Sequence, residues 1–251
     1  MIRYGLIGYP LTHSFSKRYF TTRFEELGMS DQFQYEIYEI ESPDQMRTLF
    51  QQDPDLRGLN VTIPHKLGVM PLLDDLDESA KRVGAVNVIK RTDQDQLIGF
   101  NSDWYGFQTS LRQASKGKAL SKALILGYGG AAKAIEVALE DEGIHVYRVS
   151  RQDGADRISY DQANVLLPEI QLIVNCTPLG TYPNVTTYPP IDYSKLNSQH
   201  LLFDLVYNPE ETEFLKRGKA QGATIQNGYD MLVYQAERSW DIWQNPYKST
   251  Y

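Results

Sequence analysis

This sequence predicts two α/β units, the second built on a parallel sheet, and three observations carry the prediction. Short apolar runs alternate with helix-forming stretches along most of the 251 residues. One of those runs, Lys122 to Leu126, leads straight into Gly127-Tyr-Gly-Gly-Ala-Ala132 and then a helical stretch. Roughly half of the chain precedes that turn, so the early residues need a core of their own.

A strand feeding a glycine-rich turn and then a helix suits the pyrophosphate of a dinucleotide. Gly127 permits the tight turn, Gly129 lets the backbone approach phosphate, and Ala132 lets the helix lie close to the strand with its N-terminal amides facing the anion. The fold class is therefore α/β: an N-terminal α/β substrate domain followed by a Rossmann-like parallel-sheet dinucleotide-binding domain.

In chain order, Ile2 to Gly8 reads as a strand, Phe15 to Leu27 as an amphipathic helix stopped at Gly28, and Tyr35 to Ile40 as a second strand. Ser42-Pro-Asp-Gln45 supplies a capping serine, a proline at the first helical position and a glutamine at the third, which opens a helix through about Gln52. Leu56 to Ile63 returns as strand, a helical segment runs from Asp74 to Val83, and Val86 to Lys90 pairs with Gln96 to Phe100 around a polar turn. Trp104 to Gln113 leads away as a helix, and the polar stretch from Ala114 to Ser121 forms the joint.

Beyond it, strands are expected at Ala123 to Leu126, His145 to Val149, Leu172 to Cys176, Leu201 to Val206 and Thr224 to Gln226, with helices between most of them. Thr181 to Pro190, rich in Tyr, Pro and Thr, reads as a mobile flap. The last pattern, Tyr229 to Trp243, is a long helix that returns to the first unit. The domains are thus 1–103 for substrate, 104–228 for dinucleotide and 229–251 for the returning helix.

Composition narrows the function. A formal charge of -7 without a dense Lys/Arg stripe excludes a sequence-independent grip on nucleic acid. No apolar run approaches the roughly 18 residues of a membrane span, and Met1-Ile-Arg-Tyr-Gly5 lacks a targeting pattern, so a cytoplasmic protein acting on a small molecule is expected. The lone Cys176 excludes an internal disulfide and reads as the packed end of a strand. His13, His65, His145 and His200 are scattered without ligand spacing, and no metal is expected.

Reactive groups in such folds gather at the carboxyl ends of strands. There the first unit offers Ser14 and Ser16, then Asn60, Thr62 and Lys66, then Asn101 and Asp103, groups suited to a polyol or hydroxy acid. Removing hydride from a secondary alcohol leaves a proton to be taken, a task for a lysine oriented by a carboxylate, and Lys66 with Asp103 fits it. Spacing alone leaves a bland reading open for each: Lys66 as a solvated cation, Ser14, Ser16 and Asp103 as helix caps. For the cofactor, Tyr147-Arg-Val-Ser-Arg151 holds no acid where an NAD site carries one; Arg151, with Arg148 near it, can pair with a 2'-phosphate while Ser150 donates, which favours NADP.

The segments Gly8-Tyr-Pro-Leu-Thr-His-Ser-Phe-Ser16, Asn60-Val-Thr-Ile-Pro-His-Lys66, Gly84-Ala-Val-Asn87, Gly99-Phe-Asn-Ser-Asp103, Gly127-Tyr-Gly-Gly-Ala131, Asn175-Cys-Thr-Pro-Leu-Gly180, Asp204-Leu-Val-Tyr-Asn-Pro209 and Gly228-Tyr-Asp-Met-Leu-Val-Tyr-Gln235 resemble the shikimate dehydrogenase family in order and spacing. The resemblance implies reversible reduction of 3-dehydroshikimate to shikimate by NADPH, in a monomer or homodimer. It implies that Lys66 and Asp103 are the catalytic pair. Ser14 and Ser16 would hold the substrate carboxylate, and Thr62, Asn87, Asp103, Tyr207 and Gln235 would surround its ring. Gly127, Gly129, Gly130, Ala131, Ser150, Arg151, Thr177, Leu205 and Gly228 would meet the cofactor.

Lys17, Ser102 and Tyr128 depart from the family's usual Pro, Thr and Ala, and Ser150-Arg-Gln152 replaces its Asn-Arg-Thr. Two alternatives stay open, a relative of broader range that also takes quinate and a catalytically silent metabolite-binding one.

Overall fold

The protein is seen here as a computed structural model that describes residues 1–11, 15–151, 154 and 156–247. Residues 1–102 with those from 236 onward form one compact unit, and residues 103–235 form another.

The first unit carries a six-stranded mixed sheet. β1 (Ile2–Gly8) lies between β2 (Phe33–Glu39) and β3 (Leu56–Val61), parallel to both. β5 (Val88–Arg91) runs antiparallel to β3 and to β6 (Leu97–Phe100), whose other edge takes the short β4 (Asp75–Leu76), giving the order β2-β1-β3-β5-β6-β4. One face packs Ile7, Leu59 and Ile89 against Met46 and Phe50 of α2 (Gln45–Gln52) and Ala80 of α3 (Glu78–Val83). The other face is aromatic: Tyr4, Phe33 and Tyr35 meet Phe20 and Phe24 of α1 (Phe15–Glu26) and Trp240 and Trp243 of α8 (Tyr229–Gln244). Trp243 also donates its indole N–H to Ile89 O at 3.0 Å. Buried Lys90 closes the end of α8 by donating to the carbonyls of Ile242, Trp243 and Asn245.

Two helical expectations shift. The segment expected as helix from Asp74 is extended at first, because the Asp74 carboxylate accepts Leu97 N at 2.7 Å and residues 75–76 pair with β6; the helix starts after Asp77, whose carboxylate caps Ser79 N. Ser42 does not cap α2. The Gln45 side chain still reaches back to Ser42 N at 3.1 Å, half of a capping box, while the Ser42 hydroxyl turns to Asp44 and the helix begins at Gln45.

The second unit is a five-stranded, wholly parallel sheet in the order β11-β10-β9-β7-β8, made of β7 (Lys122–Leu126), β8 (His145–Val149), β9 (Leu172–Asn175), β10 (Leu201–Asp204) and β11 (Thr224–Gln226). Leu124 and Leu126 face one core and Ala123 and Ile125 the other, as befits a central strand covered on both sides. α4 (Asp103–Ala114) and α5 (Gly130–Asp141) cover one face; α5 offers Ala132, Ile135, Ala138 and Leu139 at helical spacing. α6 (Tyr160–Leu166), opened by a Ser159/Gln162 capping box, and α7 (Glu213–Ala220), capped by Thr212, cover the other. Residues 181–190 form an irregular loop tied by Thr187, whose hydroxyl accepts Gly180 N and donates to Asn184 O. Among the described residues no helix is long and apolar enough to cross a membrane.

Candidate active site

In the first unit the sheet's own pairing gathers the polar groups. β5 runs antiparallel to β3 with Val88 opposite Asn60, and β6 returns with Phe100 opposite Val88. Residues just after β3, just before β5 and just after β6 therefore share one end of the sheet. These are Thr62 and Lys66, Asn87, and Asn101 with Ser102. β1 ends there too, and Tyr9 N donates to Ile63 O.

A buried chain of neutral groups fixes that end. Ser16, on the first turn of α1, donates to the Tyr35 hydroxyl, and Tyr35 donates to Asn60 Oδ1 at 2.8 Å. The Asn60 amide donates to Ser239 Oγ of α8 at 3.0 Å, and Ser239 and Ser102 share a hydrogen bond of 3.1 Å. Asn87 then clasps Ser102, accepting its N–H at 2.7 Å and donating to its hydroxyl at 3.0 Å. Full burial holds the Tyr35 hydroxyl far above its usual range, so it stays protonated and donating.

Lys66 sits on a turn held from three directions. His65 N donates to Thr62 O at 3.0 Å, the buried His65 ring hydrogen-bonds Ile40 O at 2.7 Å, and Val86 N donates to Lys66 O at 2.9 Å. Ser14 lies outside the described residues, as does His13.

In the second unit Asp103 is the first residue of α4. One turn on, a Cβ at Gly106 would lie 2.6 Å from Met231 O and 2.9 Å from Gln235 N, so α4 and α8 approach closely and fix where Gln235 leaves its helix. Tyr207 follows β10, at the sheet's carboxyl end.

Gly127, after β7, and Thr177, after β9, meet where the strand order reverses. Gly127 has φ +82°, and a Cβ there would lie 2.6 Å from Thr177 Cγ2; only glycine meets both demands. Thr177 is held by Asn175 Oδ1, which accepts its N–H at 3.0 Å and its hydroxyl at 2.6 Å. Asn175 in turn donates to Asp204 Oδ1 at 2.9 Å, and the same carboxylate accepts Val206 N at 3.0 Å and the Thr212 hydroxyl at 2.5 Å. Burial pushes the Asp204 carboxyl up to about 6 against the pull of those three donors. Leu205 and Gly228 also touch, since a Cβ at Gly228 would run into Leu205 O.

These residues fit a dinucleotide. A Cβ at Gly129 or Gly130 would meet open space, and α5 opens at Gly130, beside Ala131, with no side chain capping its amides. Ser150 and exposed Arg151 follow β8, with Arg151 acting electrostatically on Tyr160. Arg148, which the sequence also offered to a phosphate, is bound elsewhere: its Nε and Nη2 go to Glu136 Oε1 at 2.6 and 2.5 Å and its Nη1 to Asp156 at 3.1 Å. Sequence reading passed over Tyr35, Ser239, Glu136 and Asp204. Asp204 and Glu136 had a readable signal, each being an acid within an apolar run, where burial requires partners.

A parallel sheet with a glycine turn at its switch point, following a unit that gathers polar groups at one sheet end, defines the class: a two-unit α/β protein of the nicotinamide-dependent dehydrogenase type. Residues 6–89 match the family model described as the shikimate dehydrogenase substrate binding domain. The chain is 38% identical over 253 residues to the shikimate dehydrogenase (NADP(+)) of Clostridium beijerinckii, spanning 96% of this chain and 91% of that one. It superposes on the crystal structure of shikimate dehydrogenase 1 from Peptoclostridium difficile with a TM-score of 0.82 at 35% identity, covering 100% of this chain and 94% of the other. A third relative is the shikimate 5-dehydrogenase of Thermus thermophilus in complex with NADP(H) and shikimate, with a TM-score of 0.84, 29% identity and 97% and 93% coverage. The chain belongs to the shikimate dehydrogenase family.

Proposed function

We propose that this chain catalyses the NADP-dependent, reversible reduction of 3-dehydroshikimate to shikimate, as a cytoplasmic enzyme working as a monomer or homodimer. One observation carries the reading: a glycine turn with room at Gly129 and Gly130 follows β7, in a chain whose first unit matches a substrate-binding family model. Residues 1–103 with the returning helix 229–251 serve the substrate, and residues 104–228 serve the cofactor.

When bound, NADP supplies the hydride acceptor in one direction and the donor in the other. As the ring alcohol becomes a ketone, the Lys66 amine accepts the hydroxyl proton, and in reverse its ammonium returns that proton to the carbonyl oxygen. Asp103 orients the ammonium. Ser14 and Ser16 hold the substrate carboxylate, and Thr62, Asn87, Tyr207 and Gln235 grip the ring hydroxyls. Arg151 with Ser150 recognises the 2'-phosphate, while Thr177, Leu205 and Gly228 pack beside the glycine turn.

Mixing the protein with shikimate and NADP tests the reading through the near-ultraviolet absorbance of reduced nicotinamide. No rise in absorbance, with both ligands shown to bind, sinks it. Lys66→Ala should lower turnover by about a hundredfold or more while shikimate still binds; near-normal turnover removes the lysine from the mechanism. Arg151→Ala should raise KM for NADP far more than KM for NAD. An equal effect on both refutes the 2'-phosphate assignment.

A further inference from the structure

The glycine turn of this chain is joined to a cluster of charges. Tyr128, between the two turn glycines, donates its hydroxyl to Glu136 Oε2 at 2.6 Å. Glu136, nearly buried on α5, gives its other oxygen to Arg148 of β8. Arg148 spends its remaining arm on Asp156, whose second oxygen lies 3.6 Å from Arg157 Nε. The guanidinium carbons of Arg148 and Arg157 lie 5.2 and 5.3 Å from the centroid of the Tyr128 ring. Burial, then Glu136, pushes the Tyr128 hydroxyl up to about 12, which keeps it a neutral donor.

Among the described residues, two cations and two anions cancel within this cluster. A guanidinium with its Nε and both terminal nitrogens committed to carboxylates has little left for a phosphate. Outside the cluster stands Arg151, exposed just after β8. We propose that Glu136 is the residue that limits how strongly this chain selects a 2'-phosphorylated cofactor, because it neutralises and immobilises Arg148 beside the glycine turn and leaves Arg151 as the cation that reads the phosphate. The proposal rests on the NADP reading above and adds the residue that sets its strength.

Charge and geometry make opposite forecasts, which permits a test by direct binding. Calorimetric titration of the full chain with 2',5'-ADP and with 5'-AMP measures the two affinities without any turnover. Glu136→Gln frees one positive charge and should tighten 2',5'-ADP by about three- to tenfold at low salt, leaving 5'-AMP within about twofold. Arg148→Gln leaves the cluster net negative and should weaken 2',5'-ADP by a similar factor, again sparing 5'-AMP. Tyr128→Phe removes a hydrogen bond and no charge, so the ratio of the two affinities should hold.

The proposal is overturned if Glu136→Gln and Arg148→Gln shift both nucleotides alike. It is equally overturned if Tyr128→Phe alters the ratio as much as Glu136→Gln, since geometry rather than charge would then set selection. Failure of the parent protein to bind either nucleotide would instead strike the cofactor reading itself, and the proposal with it.

Discussion

The two units hold polar site residues at strand ends by different means. The first threads neutral groups, Ser16, Tyr35, Asn60, Ser239, Ser102 and Asn87, into a buried chain in which each hydroxyl or amide meets the next. The second converges three donors on one buried carboxylate, Asp204, and passes the order outward through Asn175 to Thr177 and the glycine turn. A neutral chain loses one link at a time and does not titrate near neutrality. An anionic hub concentrates the cost in a single residue and ties it to pH.

The hub should therefore break hardest. Asp204→Ala would leave the Thr212 hydroxyl, the Val206 N–H and the Asn175 amide without their acceptor, at a cost of about 3 kcal/mol or more. Thermal unfolding of the variant should show a large drop in midpoint, and KM for NADP should rise because Thr177 loses its anchor. A midpoint near the parent's would mean that the carboxylate is dispensable and that the contrast between the units is empty.

The same hub sets a pH dependence. Its folded pKa, about 6, lies above the ordinary aspartate value of 3.8, so between those values the folded state holds the proton more tightly than the unfolded chain does. Asp204's contribution to stability therefore grows as pH falls through about 6 and is lost as pH rises through it, with a slope of at most about 1.4 kcal/mol per pH unit. The parent minus Asp204→Asn difference in unfolding midpoint, followed from pH 7 toward pH 4, isolates this slope. A flat difference would remove Asp204 as a titrating group.

What the sequence made legible was local. A strand, a glycine turn and an alanine-rich helix sit within a few residues of one another, so β7, the turn at Gly127 and α5 could be read directly. The β5–β6 hairpin was likewise readable from its polar turn, where Asp95 takes φ +65°. What escaped depends on partners far along the chain. The helix expected from Asp74 yields to pairing with β6 because Leu97, 23 residues on, supplies the N–H that its carboxylate accepts. Arg148 was legible as a cation near the end of β8, but its pairing to Glu136 exists only because α5 packs beside that strand. Ser239 meets Ser102 across 137 residues, and no periodicity in α8 marks it as a link rather than a packing residue.

The neutral chain makes the smallest forecast and the one that best tests whether it positions anything. Tyr35→Phe deletes one hydroxyl that both accepts from Ser16 and donates to Asn60, leaving the ring stacked on Phe20 at a centroid distance of 4.6 Å. The stability cost should be about 1–2 kcal/mol, since two buried neutral hydrogen bonds of one hydroxyl are lost while the packing stays. If the chain only supports the fold, kinetic constants should not move. If it aims Ser16 at the substrate, KM for shikimate should rise several-fold while KM for NADP and turnover hold, because the first unit would lose orientation in one hydroxyl and nothing in the second unit would change. An equal rise in both Michaelis constants would show that the two polar systems are not independent, and the distinction between threaded and convergent networks would then describe connectivity without functional consequence.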